Sequence, residues 1–139
     1  VNLLRQLGPL AEKRGVTITV EPLNKAECNF ITSLGEGATI VEQCDHPNVA
    51  LLADIYHMTQ NGQGPEDIIQ FGKHLRHVHI AEKEKRTAPG TMGDDFRPFF
   101  KALKHVGYDA RISIEGRWDN LANQAAGSIG VLRQQWTRS

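Results

Sequence analysis

Four side chains in this sequence could together carry out metal and proton chemistry: Glu21, Asp54, His79 and Glu115. Each stands near the carboxyl end of a short run rich in Val, Ile, Leu or Thr: "VTITVE", "NVALLAD", "LRHVHI" and "ARISIE". The intervals between them are 33, 25 and 36 residues, about the length of successive strand–helix units. An ionisable group in a strand of that composition is costly unless it is paired or bound. Three carboxylates and one imidazole brought together would repel or stay unsatisfied without a cation, and they suit a divalent ion such as Mn²⁺ or Mg²⁺. A lone acid at a strand end is ordinarily solvated, and a lone histidine is ordinarily hydrogen-bonded in a core. Four at matching depth in consecutive units argue against coincidence.

Side chains alternate between the two faces of a strand, so the pattern can be tested by parity. Thr17 and Thr19 share the face of Glu21, while Val16, Ile18 and Val20 take the other. His77 accompanies His79 opposite Val78 and Ile80, and Ser113 accompanies Glu115 opposite Ile112 and Ile114. Asp54 shares its face with Leu52. In three of the four strands a polar face carries the ligand-type residue and an apolar face is left for helices. His77, one layer deeper than His79, is read as its hydrogen-bonding support.

The elements that must position these residues alternate along the chain. Strands are expected over 16–22, 48–55, 75–82 and 110–117. Residues 2–14 place Leu3, Leu7, Leu10 and Ala11 at helical spacing, although Gly8-Pro9 predicts a kink or a split. Residues 33–43 read as a weaker helix because Gly35 and Gly37 lie inside it. Pro65 opens a helix over 65–74, with acids early and Lys73 and His74 late. Further helices are expected over 95–107, with Phe96, Phe99, Phe100, Leu103 and Val106 on one side, and over 119–136. "YHMTQNGQG" and "KEKRTAPGTMGD" read as loops. Strands alternating with helices imply βαβ units, a parallel sheet and one domain spanning 1–139.

Composition narrows the partners. The 139 residues hold 16 basic and 16 acidic side chains, so there is no electrostatic footprint for nucleic acid or an anionic membrane. No apolar run approaches the roughly 20 residues of a membrane span. The two cysteines, Cys28 and Cys44, are too few for a disulfide framework, which makes a reducing cytoplasm the default compartment. Cys28 and Cys44 are expected to be inert. His46, His74 and His105 are expected near helix ends, solvated or facing the helix dipole. Trp118, just after Glu115, suits either a pocket wall or plain packing. The chain opens at Val1 inside a helical pattern, which reads as a start within a longer protein.

The segments "EPLNKAE", "DIYH", "HVHIAE" and "ISIEGRW" resemble the carboxyl-terminal half of the xylose-isomerase-like (β/α)₈ TIM barrels. They are nearest the branch of ketose 3-epimerases (D-tagatose/D-psicose) and hydroxypyruvate isomerases. The resemblance implies strands five to eight of such a barrel. It implies one divalent metal (Mn²⁺, Mg²⁺ or Co²⁺) bound by Glu21, Asp54, His79 and Glu115, with Glu21 and Glu115 doubling as the acid/base pair. Glu27 and His57 match positions that contact substrate hydroxyls. For the family's substrate-binding arginine, Lys85 fits by count and Arg86 by residue type.

The implied activity is isomerisation or epimerisation of a sugar or hydroxy-keto compound, with a proton moved through a cis-enediolate between two glutamates. Three alternatives stand beside it. An inosose-type dehydratase would use the same enediolate. A three-zinc apurinic endonuclease would need a further Asp-x-His, which "TMGDDF" does not supply. A chain with four of eight units could also be a catalytically silent remnant, or a half-barrel that pairs with a second copy as a homo-oligomer.

Overall fold

Strands arise in this chain where β-branched residues alternate with polar ones, and helices where apolar residues recur every three or four positions. The computed structural model describes residues Val1–Ser139. In chain order the elements are α1 (Asn2–Lys13), β1 (Ile18–Val20), α2 (Leu34–Cys44), β2 (Val49–Asp54) and α3 (Ile55–Gln60). They continue with α4 (Pro65–Phe71), a 3₁₀ turn (Gly72–His74), β3 (Leu75–Ile80), α5 (Arg97–His105), β4 (Ile112–Ile114) and α6 (Leu121–Thr137). The four strands form one parallel sheet in the order β1-β2-β3-β4. Parallel neighbours require crossovers, and helices supply them, as the alternating pattern predicts.

The sheet has two unlike faces. Val20, Leu51, Ala53, Val78 and Ile80 pack with Leu34, Ala38 and Val41 of α2, Ile68 of α4, and Phe99, Phe100 and Leu103 of α5 in one apolar cluster. The opposite parity carries Thr19, Leu52, Asp54, His77, His79 and Ser113. Asp54 pairs in register with His79, and His79 with Ser113, which sets Glu115 one pleat further along the same face. β2 is buried along its whole length, as befits a central parallel strand. The outer strands are shorter than expected. β1 begins at Ile18, leaving Val16 53% exposed, and ends two residues before Pro22, which has no N–H for the ladder.

Other expectations are revised by packing. α1 runs unbroken through Pro9. Its inward stripe is Leu4, Gly8 and Ala11, whereas Leu3 and Leu10 face outward. Gly8 is needed there: a Cβ would lie 2.6 Å from the His46 ring. "YHMTQNGQG" is not all loop, because Asp54 caps α3 with its own carboxylate, accepting the Tyr56 amide at 2.8 Å. Among the remaining histidines, His74 meets Glu42 at 2.9 Å and His105 lies in the last turn of α5. Cys44 is buried in the core, and no helix is long and apolar enough to cross a membrane.

α2 forms despite its two glycines. Ser33 accepts the Glu36 amide at 3.2 Å while Glu36 accepts the Thr32 and Ser33 amides, a complete capping box. Gly37 faces the sheet, where an added Cβ would stand 2.6 Å from Leu51 Cδ1 and 3.0 Å from Pro22 Cγ. Gly37→Ala should therefore destabilise the fold by about 1–3 kcal/mol through overpacking, although alanine is the better helix former. A denaturant midpoint equal to or above that of the parent chain would contradict this account of how α2 docks.

Candidate functional site

The ends of the four strands bring Glu21, Asp54, His79 and Glu115 together, each offering one ligand atom, all within 4.8 Å of one another. These are the four residues that the sequence singles out, and they come from all four strands or the residue just beyond. Four donors around an ion at roughly 2.1–2.3 Å would stand about 3–4.5 Å apart, so the spacing suits one divalent cation. The donor set, three carboxylates and one imidazole, suits a hard or borderline ion such as Mn²⁺ or Mg²⁺.

The cluster is organised around His79. Its Nδ1 lies 3.2 Å from Glu21 Oε1, 3.0 Å from Glu115 Oε2 and 4.0 Å from Asp54 Oδ2. The hydrogen bond to Glu21 holds the imidazole above its ordinary pKa, helped by the nearby Glu115 and Asp54 charges and opposed by burial. The same bond holds Glu21 below the usual carboxylate range, against the pull of its burial. His77 packs edge-on against His79 with ring centroids 5.0 Å apart, and its Nε2 is 2.9 Å from Ser113 Oγ. Burial depresses its pKa below that of a free imidazole.

Asp54 divides its two oxygens between fold and site. Oδ1 accepts the Tyr56 and His57 amides, while Oδ2 faces the cluster. Burial is the main cause that raises its pKa to about 6, with the Arg86 charge and the Tyr56 amide acting in opposition. Beside it His57 is buried, 2% exposed. The backbone N–H of Asn24 donates to His57 Nδ1 at 3.2 Å, and burial lowers the histidine's pKa. The proton of the neutral ring therefore sits on Nε2, which points to Asp54 Oδ2 at 3.6 Å.

Lys85 and Arg86 point in different directions. Lys85 is 75% exposed and stands 3.8 Å from Glu84. Arg86 reaches inward. Its Nη2 donates to Asp54 Oδ2 at 3.1 Å and to Glu115 Oε2 at 2.5 Å, and its Nε donates to the Glu115 carbonyl at 3.1 Å. The guanidinium lies 4.8 Å from the centre of the Tyr56 ring. Glu27, from the loop after β1, stands 3.9 Å from Arg86 Nη1 and accepts the Asn24 side-chain amide at 2.8 Å.

Two polar residues of this region carry no role in the sequence reading. Asn24 fixes the His57 tautomer from a position 33 residues away. Glu82 is fully buried, and its carboxylate accepts from Thr87 Oγ1 and from the amides of Gly90, Met92 and Gly93. Burial pushes its pKa up, but those hydrogen bonds outweigh it and the carboxyl is held below its ordinary value. The only linear hint is an acid closing the apolar run "HVHIAE" ahead of a loop with two glycines.

Asp54 gives the site a signature in the absence of metal. A raised folded-state pKa means that the protonated form is favoured by folding. Its stabilising contribution is complete below about pH 4 and lost as pH rises through about 6. In metal-free protein Asp54→Asn should keep the cap on Tyr56 and raise stability above pH 6 by an amount on the order of 1–3 kcal/mol, with little change near pH 4. Thermal unfolding of both forms across that range checks it; a parent protein whose stability climbs between pH 4 and 7 relative to Asp54→Asn would refute the assignment.

Comparison with known proteins follows the same lines. Residues 1–135 match the sequence model of the xylose isomerase-like TIM barrel. The chain is 30% identical over 139 residues to the L-ribulose 3-epimerase of Methylomonas sp. (strain DH-1), covering 98% of this chain and 48% of that protein. It is 28% identical over 142 residues to a putative hydroxypyruvate isomerase of Mus musculus, covering 99% and 50%. The crystal structure of 3-keto-D-glucoside 4-epimerase from E. coli matches with a TM-score of 0.85 at 28% identity, over 94% of this chain and 51% of that one. The chain spans about half the length of the curated relatives it matches, and its four strand–helix units correspond to half of a (β/α)₈ barrel. On fold and sequence together, it belongs to the xylose isomerase-like TIM barrel family.

Proposed function

We propose that the intact protein is a divalent-metal-dependent sugar isomerase or epimerase that moves a proton between Glu21 and Glu115. The observation that supports this most is the meeting of Glu21, Asp54, His79 and Glu115 within 4.8 Å at one end of the sheet. All the catalytic and ligand roles in this reading fall on residues that the family resemblance assigns.

Taking a proton from carbon beside a carbonyl builds negative charge on oxygen, and a bound Mn²⁺ or Mg²⁺ would supply Lewis-acid stabilisation of that charge. The remaining work falls to the chain. Glu21 and Glu115 come from the two outer strands and flank His79 from either side, so carboxylates approach a bound sugar from two directions. Glu21, whose carboxylate turns into the cluster, is placed to take the proton as general base. Return of the proton by the second glutamate to the other face of the same carbon gives an epimer. Return to the adjacent carbon gives the aldose–ketose isomer. Glu27 and Arg86 serve as hydrogen-bond partners for substrate oxygens, while His57 acts one step behind, orienting Asp54.

The test is turnover by the intact protein of ketohexoses, L-ribulose, hydroxypyruvate and an inosose in D₂O, with and without Mn²⁺. NMR should find solvent deuterium at the reacting carbon, and removal of metal should abolish turnover. Glu21→Gln and Glu115→Gln should each lower kcat by at least about 10²-fold, the typical contribution of a general acid or base. Unimpaired turnover after either substitution, or in the presence of excess chelator, would sink the mechanism. Water loss from the inosose without epimerisation of any sugar would favour the dehydratase.

A further inference from the structure

Arg86 occupies a position that its own backbone does not favour. It and Lys85 both have φ of 57°, in the left-handed region that non-glycine residues rarely occupy, and two such residues in succession persist only where the surroundings over-determine them. The surroundings here are Glu82. This side chain is fully buried, and its carboxylate accepts from Thr87 Oγ1 at 2.9 Å and from the amides of Gly90 at 2.8 Å, Met92 at 2.5 Å, Gly93 at 3.0 Å and Asp94 at 3.4 Å. Its own backbone N–H donates to the Thr87 carbonyl at 2.9 Å. A loop of a dozen residues is thus wound around one carboxylate, with Arg86 projecting from it beside the residue that Glu82 grips.

We propose that Glu82 is the positioning residue of the site, fixing the 83–94 loop so that the Arg86 guanidinium rests on Asp54 and Glu115 and presents its remaining donors to a substrate oxygen. The hydrogen bonds of the Glu82 side chain go to Thr87, Gly90, Met92, Gly93 and Asp94 and to none of Glu21, Asp54, His79 or Glu115, so it acts through the loop alone. A carboxylate is required because it is acceptor-only, with lone pairs enough for several converging N–H and O–H donors. A glutamine would set an NH₂ group against backbone amides. The loop is anchored at the far side as well. The Arg86 carbonyl accepts the Arg117 amide at 2.7 Å, and Asp94 closes the loop on the Lys83 amide at 2.6 Å. The arginine is therefore delivered to the cluster by a preformed loop rather than by its long side chain searching for partners, which lowers the ordering cost of binding.

The statement about substrate rests on the proposed function, and the statement about Arg86 geometry does not, so two readouts separate them. In the intact protein, the Arg86 side-chain Nε–H, which donates to the Glu115 carbonyl, should give a protected ¹⁵N–¹H signal. Glu82→Gln should raise its solvent exchange by about tenfold or more, the loss expected when a hydrogen bond from a charged donor is no longer held in place. Thr87→Val, which removes one donor and keeps the side-chain shape, should raise it by a smaller factor and serves where Glu82→Gln folds poorly. With any substrate that turns over, Glu82→Gln should raise KM by about tenfold with a much smaller change in kcat. In an Arg86→Met background the same substitution should add little, because both act through one contact. Unchanged Arg86 exchange in both variants would overturn the proposal. So would KM losses that add fully in the double variant, which is the behaviour of a residue that only stabilises the fold. If no sugar is turned over, the function reading fails while the exchange measurement still decides the role of Glu82.

Discussion

Three carboxylates confined within 4.8 Å of one another and of an imidazole cannot be left to repel, and this constraint shapes everything around them. In free chain segments they would separate into water. Here each is fixed at the end of a parallel strand or just beyond it, and the strands cannot part without breaking the sheet. The chain meets the charge in three ways. His79 shares a hydrogen bond with Glu21, Arg86 bridges Asp54 and Glu115, and burial raises the pKa of Asp54 to about 6. The same geometry suits a divalent cation, since coordination would turn the mutual repulsion of the carboxylates into favourable contacts.

The sheet sustains this because its two faces are chemically distinct. One face is aliphatic and sealed by α2, α4 and α5, so the hydrophobic effect stabilises the unit from the helix side alone. The other face is left to Thr19, His77, Ser113 and the ligand residues, with hydrogen bonds such as His77–Ser113 satisfying its deeper layer. Stability and chemistry are thus assigned to opposite sides of the same four strands. Asp54 is where they meet: one oxygen caps a helix, and the other belongs to the site.

The loops after β1 and β3 add a layer of organisation built from buried polar groups. Asn24 sets the proton of His57, and Glu82 gathers the amides of the loop that carries Arg86. In both cases a side chain that never reaches the cluster determines how another one faces it. A buried polar group is tolerable only when its bonds are complete, and no buried side-chain nitrogen or oxygen is left without a partner.

The sequence by itself determined the strand–helix alternation, the two faces of the sheet and the four ligand-type residues. These follow from periodicity and parity, which are local and survive in one dimension. Tertiary structure decided what depended on partners distant along the chain. It turned α1 so that Gly8 rather than Leu3 faces inward, since the close approach of His46 cannot be read from the helix alone. It made a helix of residues 55–60 because the carboxylate of Asp54 was free to cap it. It turned Arg86 towards Asp54 and Glu115 and left Lys85 outside, through a left-handed loop wound around the carboxylate of Glu82. Spacing told which ligand-type residues meet at the strand ends, whereas direction came from bonds that only the folded chain can form.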